Sequence, residues 1–570
     1  MNWRILEPDP DLVSRLKTEF KTSEIIARVM ANRNISSLES SREFFSPALQ
    51  QFHDPFLMCD TEKAARIVNK HITAGNRIMI FGDYDVDGTT ATSMLYLALS
   101  SLGGDVATYI PNREMEGYGL SKPGIDQANS RGAKLLITCD CGINAFEQVD
   151  YTRSLGLDII ITDHHTPEPQ LPQANAVMNP HRRECNYPFA GLCGGGVALK
   201  LIAAIIKLND GSPDSVNEYL DLITLGTAAD MVPIIDENRV IVYHGLQMLK
   251  NSQRPGLRAL LKKTNLHNGS ISVGQIVFWL APRINAAGRM GDANRSVELL
   301  TTNDRERAAK LATELDEENQ RRQLIQQQVV DEALRMVNAK IDLTTDKAIV
   351  LAAPGWHPGV VGIVASRIKE EFNRPAVIIS IDKNGMGKGS ARSIKDFDLY
   401  EAISTTSHYL VDYGGHPMAA GLTVTRENLD QFKSAFTLYA NEHIQAEHLI
   451  PSVTVDGEIK LVDINQRFME FLEKLSPYGP GNMRPKFIAR NLSIAGHPKV
   501  IGNGDHIRFR VRQGRTMYDA IGFNLASHYE KLITGLPIDL AFVVEINEWQ
   551  GQKFIQLNVR DIKRSGVEEC

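Results

Sequence analysis

Six aspartates and two histidines in the first half of this 570-residue sequence have the types and spacing for metal chemistry. Asp83, Asp85 and Asp87 alternate in Gly82-Asp83-Tyr84-Asp85-Val86-Asp87-Gly88, directly after a short apolar run. Like charges a few ångströms apart raise one another's pKa unless a cation compensates them. The design returns in Thr138-Cys139-Asp140-Cys141-Gly142 and in Thr162-Asp163-His164-His165, and Asp230 closes a fourth segment. A lone aspartate at such a place more often caps a helix, but four such places in one region point to a shared task. A calcium loop has the spacing of the first group, yet it needs a preceding helix and a glutamate at its twelfth position. Counted from Asp83, that position is Met94. Carboxylates with an imidazole suit Mn²⁺, and Mg²⁺ where water completes the shell. Two such ions about 3.5–4 Å apart can activate water and stabilise the leaving oxygen of an in-line phosphoryl displacement. The ligand set this implies is Asp85, Asp87, Asp140, His164 and Asp230.

The elements that must hold these groups follow from the hydrophobic pattern. Apolar runs at 77–81, 106–110, 134–138 and 158–162 read as strands, with helical stretches between them and a helix at 90–102. Alternating strands and helices imply a parallel sheet, whose sites form outside the carboxyl ends of the strands. Gly194-Gly195-Gly196 opens a helix at 197–208, and a helical run at 216–225 leads to Asp230. Residues 303–339 contain no Gly or Pro and read as one helix, roughly 50 Å long. A second α/β unit follows at 347–442, with strands at 348–352 and 375–380 around a helix at 360–372. Beyond Pro451, short alternating runs such as 507–511 and 554–559 have a β signature that a small barrel fits. The fold expected is a multidomain α/β protein: a helical lead-in (1–50), a parallel-sheet domain (51–302), a connecting helix (303–339), a smaller α/β domain (340–448) and a β-barrel (449–570).

Composition is that of a globular protein, 43% hydrophobic and 23% charged. A net charge of −6 excludes a chain that binds nucleic acid by bulk positive charge, though not a local basic groove. No run approaches the ~18 apolar residues of a membrane span, and the N-terminus lacks an apolar signal core. A cytoplasmic protein without a membrane partner is expected. Cys59, Cys139, Cys141, Cys185, Cys193 and Cys570 form no CxxC pair, and Cys139 and Cys141 are expected as free thiols.

Asp85-Val86-Asp87-Gly88, Asp140, Asp163-His164-His165 and Asp230 resemble the four ordered motifs of the DHH phosphoesterase superfamily. Gly415-His416, within 413–421, resembles the glycine-rich motif of the associated DHHA1 domain. Segments 355–367 and 389–393 resemble the RecJ branch, and the likeness extends to an OB-like domain at the C-terminus. It implies a single-strand-specific 5′→3′ DNA exonuclease that uses two Mn²⁺ or Mg²⁺ ions, releases 5′-mononucleotides and acts in repair and recombination. It also implies a monomer working with a helicase and a single-strand-binding protein. Under it Asp140 bridges the metals, Asp83 is a further ligand, Asp163 orients its neighbours and His165 contacts the scissile phosphate. Asp140, His164 and His165 form the catalytic group.

An exonuclease must also hold a strand end. Arginine forks suit a terminal phosphate, and the resemblance implies that Arg113, Ser390 and Arg392 take it. Arg283, Asn285 and Arg289 suit backbone phosphates; His357 and His416 stand in the remaining motifs, with glycines around His416 that let a strand pass near the main chain. Arg508, Arg510 and Arg512 alternate on one strand face, a track for a single strand or a solvated face. Each arginine could instead serve a surface ion pair. Three rivals stand beside this reading: a DHH phosphodiesterase acting on short oligoribonucleotides or cyclic dinucleotides, a non-catalytic relative, and a pyrophosphatase. The first and third need no third region, and the second would lack metal-site acids.

Overall fold

The computed structural model describes residues 1–113, 115–117, 119–549 and 552–566. The chain forms two compact units: residues 1–282, 293–312 and those from 452 onward make the first, and 283–292 with 313–451 the second.

At the heart of the first unit is a five-stranded parallel sheet in the order Val106–Tyr109, Arg77–Gly82, Ala133–Cys139, Asp158–Thr162, Ala176–Met178. The three inner strands are almost wholly buried, as apolar runs covered on both faces should be, while the edge strand Val106–Tyr109 is half-buried. Because the chain adds Val106–Tyr109 on one side of the first strand and Ala133–Cys139 on the other, a topological switch point lies between Arg77–Gly82 and Ala133–Cys139. Asp83 follows the first of these strands and Asp140 the second.

Several boundaries differ from the sequence reading, each for a local reason. The helix after the first strand is Val86–Ser101, so Asp87 and Gly88 belong to a helix and not a loop. Asp85 caps it, its side chain accepting from Gly88 N at 3.0 Å. The triple glycine forms the first turn of helix Gly194–Leu208. The helical run read at 216–225 is a 3-10 stretch, Pro213–Tyr219, followed by helix Leu220–Ala229, which Asp230 ends. The fifth strand, Ala176–Met178, is too short for alternation to reveal.

The C-terminal region is a seven-stranded sheet with helix Gln466–Lys474. The lead-in helices Pro10–Glu19 and Glu24–Ala31 bury Leu16, Ile25 and Val29 in the core that holds Phe468, Phe487 and Phe542. Strand Asn2–Ile5 pairs in parallel with Ser452–Val455. The two ends of the chain thus share one core. This core meets the parallel-sheet region through Arg239, which donates to Ser476 O and Pro477 O and lies 3.8 Å from the Phe44 ring centroid.

In the second unit a mixed sheet runs Leu410–His416, Ala419–Thr425, Met386–Arg392, Ala376–Ile381, Ile349–Pro354, with only the last pair parallel. Helix Arg305–Lys340 is unbroken over 36 residues, about 54 Å at 1.5 Å per residue. It starts in the first unit, and in the second its Val329, Ala333 and Val337 are buried with Ile349, Leu351 and Val364. Among the described residues no helix is long and apolar enough to cross a membrane.

Candidate metal centre

Asp83, Asp85, Asp87, Asp140, His164, His165 and Asp230 converge beside the switch point, where open parallel sheets hold ligands. Three triads have donor atoms within 4.8 Å of one another: Asp83–Asp85–Asp140, Asp87–His164–Asp230 and Asp140–His164–His165. Asp140 and His164 each belong to two of them. His164 Nε2 is 3.1 Å from Asp140 Oδ1 and 3.7 Å from Asp230 Oδ2.

The chain holds the cluster with backbone amides. Gly194 N and Gly195 N, at the start of their helix, donate to the two Asp87 oxygens at 2.6 and 3.0 Å. A helix N-terminus is a natural seat for a carboxylate. Gly194 must also lack a side chain, since a Cβ there would lie 2.6 Å from the Asp140 Cβ. Asp140 has φ 61°, the left-handed region that few non-glycine residues occupy. Asp163 is buried and stands aside from the triads. Its Oδ1 accepts from His164 N, His165 N and His165 Nδ1 at 2.7, 3.1 and 2.7 Å, and its Oδ2 from Ile143 N at 3.0 Å.

Electrostatics shows what this crowding costs. Burial first, and then neighbouring carboxylates, push Asp83 and Asp140 well above the usual carboxylate range. Burial and Asp87 raise Asp230 to about 9. Asp163 is held low: burial pushes it up, but the hydrogen bond and charge of His165 together with the amides of Ile143 and His165 outweigh that. His165 is raised to about 9, since Asp163 more than offsets its burial. Burial lowers His164, which suits a neutral ligand nitrogen. Asp83 Oδ1 and His164 Nε2 are buried without a hydrogen-bond partner among the described residues. Buried polar atoms seldom lack partners. Five carboxylates and two imidazoles with such atoms fit hard divalent cations of the Mn²⁺ or Mg²⁺ type.

Comparison with known proteins agrees with this geometry. Residues 77–227 match the model of the DHH family, N-terminal domain, 345–442 the DHHA1 domain, and 455–561 the RecJ OB domain. The single-stranded-DNA-specific exonuclease RecJ of Bacillus subtilis (strain 168) is 38% identical over 563 residues, spanning 98% of this chain and 70% of that protein. The Escherichia coli (strain K12) protein of the same description is 34% identical, spanning 94% of this chain and 95% of its own. The chain belongs to the RecJ family. Among solved structures, RecJ of Thermus thermophilus in complex with Mn²⁺ matches with a TM-score of 0.84 at 28% identity, covering 99% of this chain and 80% of that one. Its Mg²⁺ complex matches with a TM-score of 0.78 at 27% identity, covering 99% and 79%.

The other candidate residues of this RecJ-family chain lie in both units. Arg113 follows strand Val106–Tyr109 and places its guanidinium 5.1 Å from the Tyr84 ring centroid. Arg283, Asn285 and Arg289 lie on helix Ala281–Met290, in the part assigned to the second unit. Arg283 Nε donates to Asp316 Oδ1 at 2.8 Å, and Arg289 Nη1 to Gly359 O at 3.2 Å. His357 caps helix Pro358–Phe372, accepting from Gly359 N. Arg392 Nη1 donates to Ser390 Oγ at 2.9 Å, and a Cβ on Gly362 would come within 3.1 Å of that hydroxyl and 3.2 Å of Arg392 Nη2. His416 ends an exposed edge strand. Arg508 and Arg510 share a solvent face, and both lie beside Asp519 on the next strand. Sequence reasoning gave no site role to Gly194 and Gly195, although three consecutive glycines opening a helix were the available signal. Cys139 and Cys141 are buried free thiols, and Cys570 lies outside the described residues.

Proposed function

We propose that this chain is a metal-dependent exonuclease that digests single-stranded DNA from its 5′ end, releases 5′-mononucleotides and acts in DNA repair and recombination. The observation that carries this reading is the cluster of five carboxylates and two imidazoles at the switch point, in a family whose named members are single-stranded-DNA-specific exonucleases. Asp83, Asp85, Asp87, Asp140, His164 and Asp230 would hold two Mn²⁺ or Mg²⁺ ions, with Asp140, shared by two triads, as the carboxylate that would serve both. Bound there, two such ions lower the pKa of water and neutralise charge on the scissile phosphate.

The remaining roles belong to the chain's own groups. Asp163 fixes the His165 ring through Nδ1, and His165 contacts the scissile phosphate. Arg113 meets the strand's terminal phosphate, as do Ser390 and Arg392. Arg283, Asn285, Arg289, His357 and His416 contact backbone phosphates. The divisions at about 50, 302, 339 and 448 separate the working parts. The protein acts in the cytoplasm as a monomer, downstream of a helicase that opens duplex and beside a single-strand-binding protein.

The test is digestion of single-stranded DNA labelled at either end, with Mn²⁺. Stepwise release of mononucleotides from the 5′ end is expected, with none after Asp140→Ala. Activity confined to dinucleotides or short RNA would replace this reading with the phosphodiesterase alternative.

A further inference from the structure

Among the described residues around Arg113, the carboxylate of Glu116 gathers hydrogen bonds from both ends of the segment. Glu116 accepts hydrogen bonds from Tyr109 Oη at 2.9 Å, Asn112 N at 2.8 Å and Ser121 Oγ at 2.5 Å. Its own N–H returns to Asn112 O at 2.8 Å. Tyr109 is the last residue of strand Val106–Tyr109, and Ser121 caps helix Lys122–Ser130, where it accepts from Gly124 N. Glu116 therefore ties the start of the segment to its end. Among the described residues the donors at both of its oxygens are neutral, so these bonds serve the shape of the segment.

From the other side, Tyr84 gives the Arg113 guanidinium a surface at 5.1 Å. Tyr84 sits between two acids of the metal cluster and packs on Ile110, Ala293 and Val297. A ring fixed by packing restricts an arginine laid over it, and the planar guanidinium suits such a face.

We propose that Glu116 and Tyr84 are positioning residues that hold Arg113 at a set place beside the metal cluster, and so give the enzyme its preference for a 5′-phosphorylated end. The inference rests on the reading of Arg113 as a terminal-phosphate ligand. A phosphate carries several oxygens, and a forked donor discriminates them only when it is held still. A misplacement of about 1 Å can cost up to about 100-fold in rate.

The experiment compares kcat/KM on single strands bearing a 5′-phosphate or a 5′-hydroxyl, with Mn²⁺, for the full chain and for Arg113→Ala, Glu116→Gln, Tyr84→Leu and Tyr84→Phe. Arg113→Ala is expected to abolish the preference for phosphate. Glu116→Gln, which exchanges an acceptor oxygen for an amide donor, and Tyr84→Leu are expected to cut that preference roughly 10-fold or more. Tyr84→Phe keeps the ring and the preference. The Mn²⁺-induced rise in Tm is expected in all four, since the ligands are untouched. If Arg113→Ala abolishes the preference but Glu116→Gln and Tyr84→Leu leave it intact, the inference is overturned while the reading of Arg113 survives. Equal losses on both ends, together with a lost Mn²⁺ response, would also overturn it by showing a purely structural role. An unchanged preference in Arg113→Ala would remove the reading of Arg113 itself, a distinct result.

Discussion

The parallel-sheet region buries carboxylates in two places and treats them in opposite ways. Glu237 is fully buried, yet each of its oxygens is met: Lys200 Nζ bonds to Oε1, His53 N donates there at 2.8 Å, and Tyr187 Oη donates to Oε2 at 2.5 Å. Lys200 is itself only 4% exposed and lies near the Phe52 and Tyr187 rings. Burial pushes its ammonium below the ordinary range, and Glu237 opposes that. The chain closes this cluster with its own cation. The metal cluster instead brings five carboxylates together, Asp83, Asp87 and Asp140 buried and Asp85 and Asp230 half-buried, with His164 and His165 among them. Five acids outnumber those imidazoles, and divalent cations would supply the balance. A buried acid paired within the protein is architecture, whereas a group of acids left short of cations is a binding site.

Asp140→Asn should separate the two most sharply. Activity is expected to fall more than about 100-fold, since loss of a group that merely orients a metal ligand already costs 10–100-fold. In EDTA its Tm should match or exceed that of the parent, because one like charge is removed. A clear drop in Tm in EDTA would show that the cluster is internally satisfied. Lys200→Met should do the reverse. Breaking a buried pair costs about 3–5 kcal/mol, read as a lower urea midpoint, while activity per folded molecule stays intact below the transition. If nuclease activity falls in step with that substitution, the two clusters are not separable.

Metal addition probes the same contrast without mutation. A ligand at about 100 times its Kd stabilises by about 2.7 kcal/mol, so excess Mn²⁺ should raise the Tm of the parent and of Lys200→Met, but not of Asp140→Asn. A response in all three would place the ions elsewhere. The smallest effect belongs to an exposed pair. Glu298 accepts from Arg307 at 2.5 and 2.6 Å, and that hydrogen bond holds its carboxyl below the usual range. A depressed acid stabilises above its unfolded pKa, and the contribution is lost as pH falls through the folded value. Glu298→Gln should remove that acid-side dependence and cost under about 1 kcal/mol, measured by urea melts across mildly acidic pH. A larger change would mean that the pair is not solvent-screened.

The acids of the metal centre were legible because chemistry forces their types and strand ends force their spacing. Asp83 to Asp87, Asp140 and the histidines each follow an apolar strand run, and the long helix was legible from the absence of breakers. Less visible were the amide grip of Gly194 and Gly195 on Asp87 and the contact between Gly194 and Asp140, because both join residues 54 or more positions apart. The antiparallel half of the second sheet was also hidden, since strands such as Met386–Arg392, rich in Gly, Ser and Lys, carry little alternation.

By itself, the sequence determined which side chains could bind metal and the alternation that builds a parallel sheet, because residue type and short-range periodicity are local properties. Tertiary structure decided that Glu237 meets Lys200 and that the metal-site acids gather around two histidines. It also decided that Asp140 belongs to two triads and that the two chain ends share one core. Those outcomes depend on burial and on distances between remote segments, and a charge has its energy only once its surroundings are set.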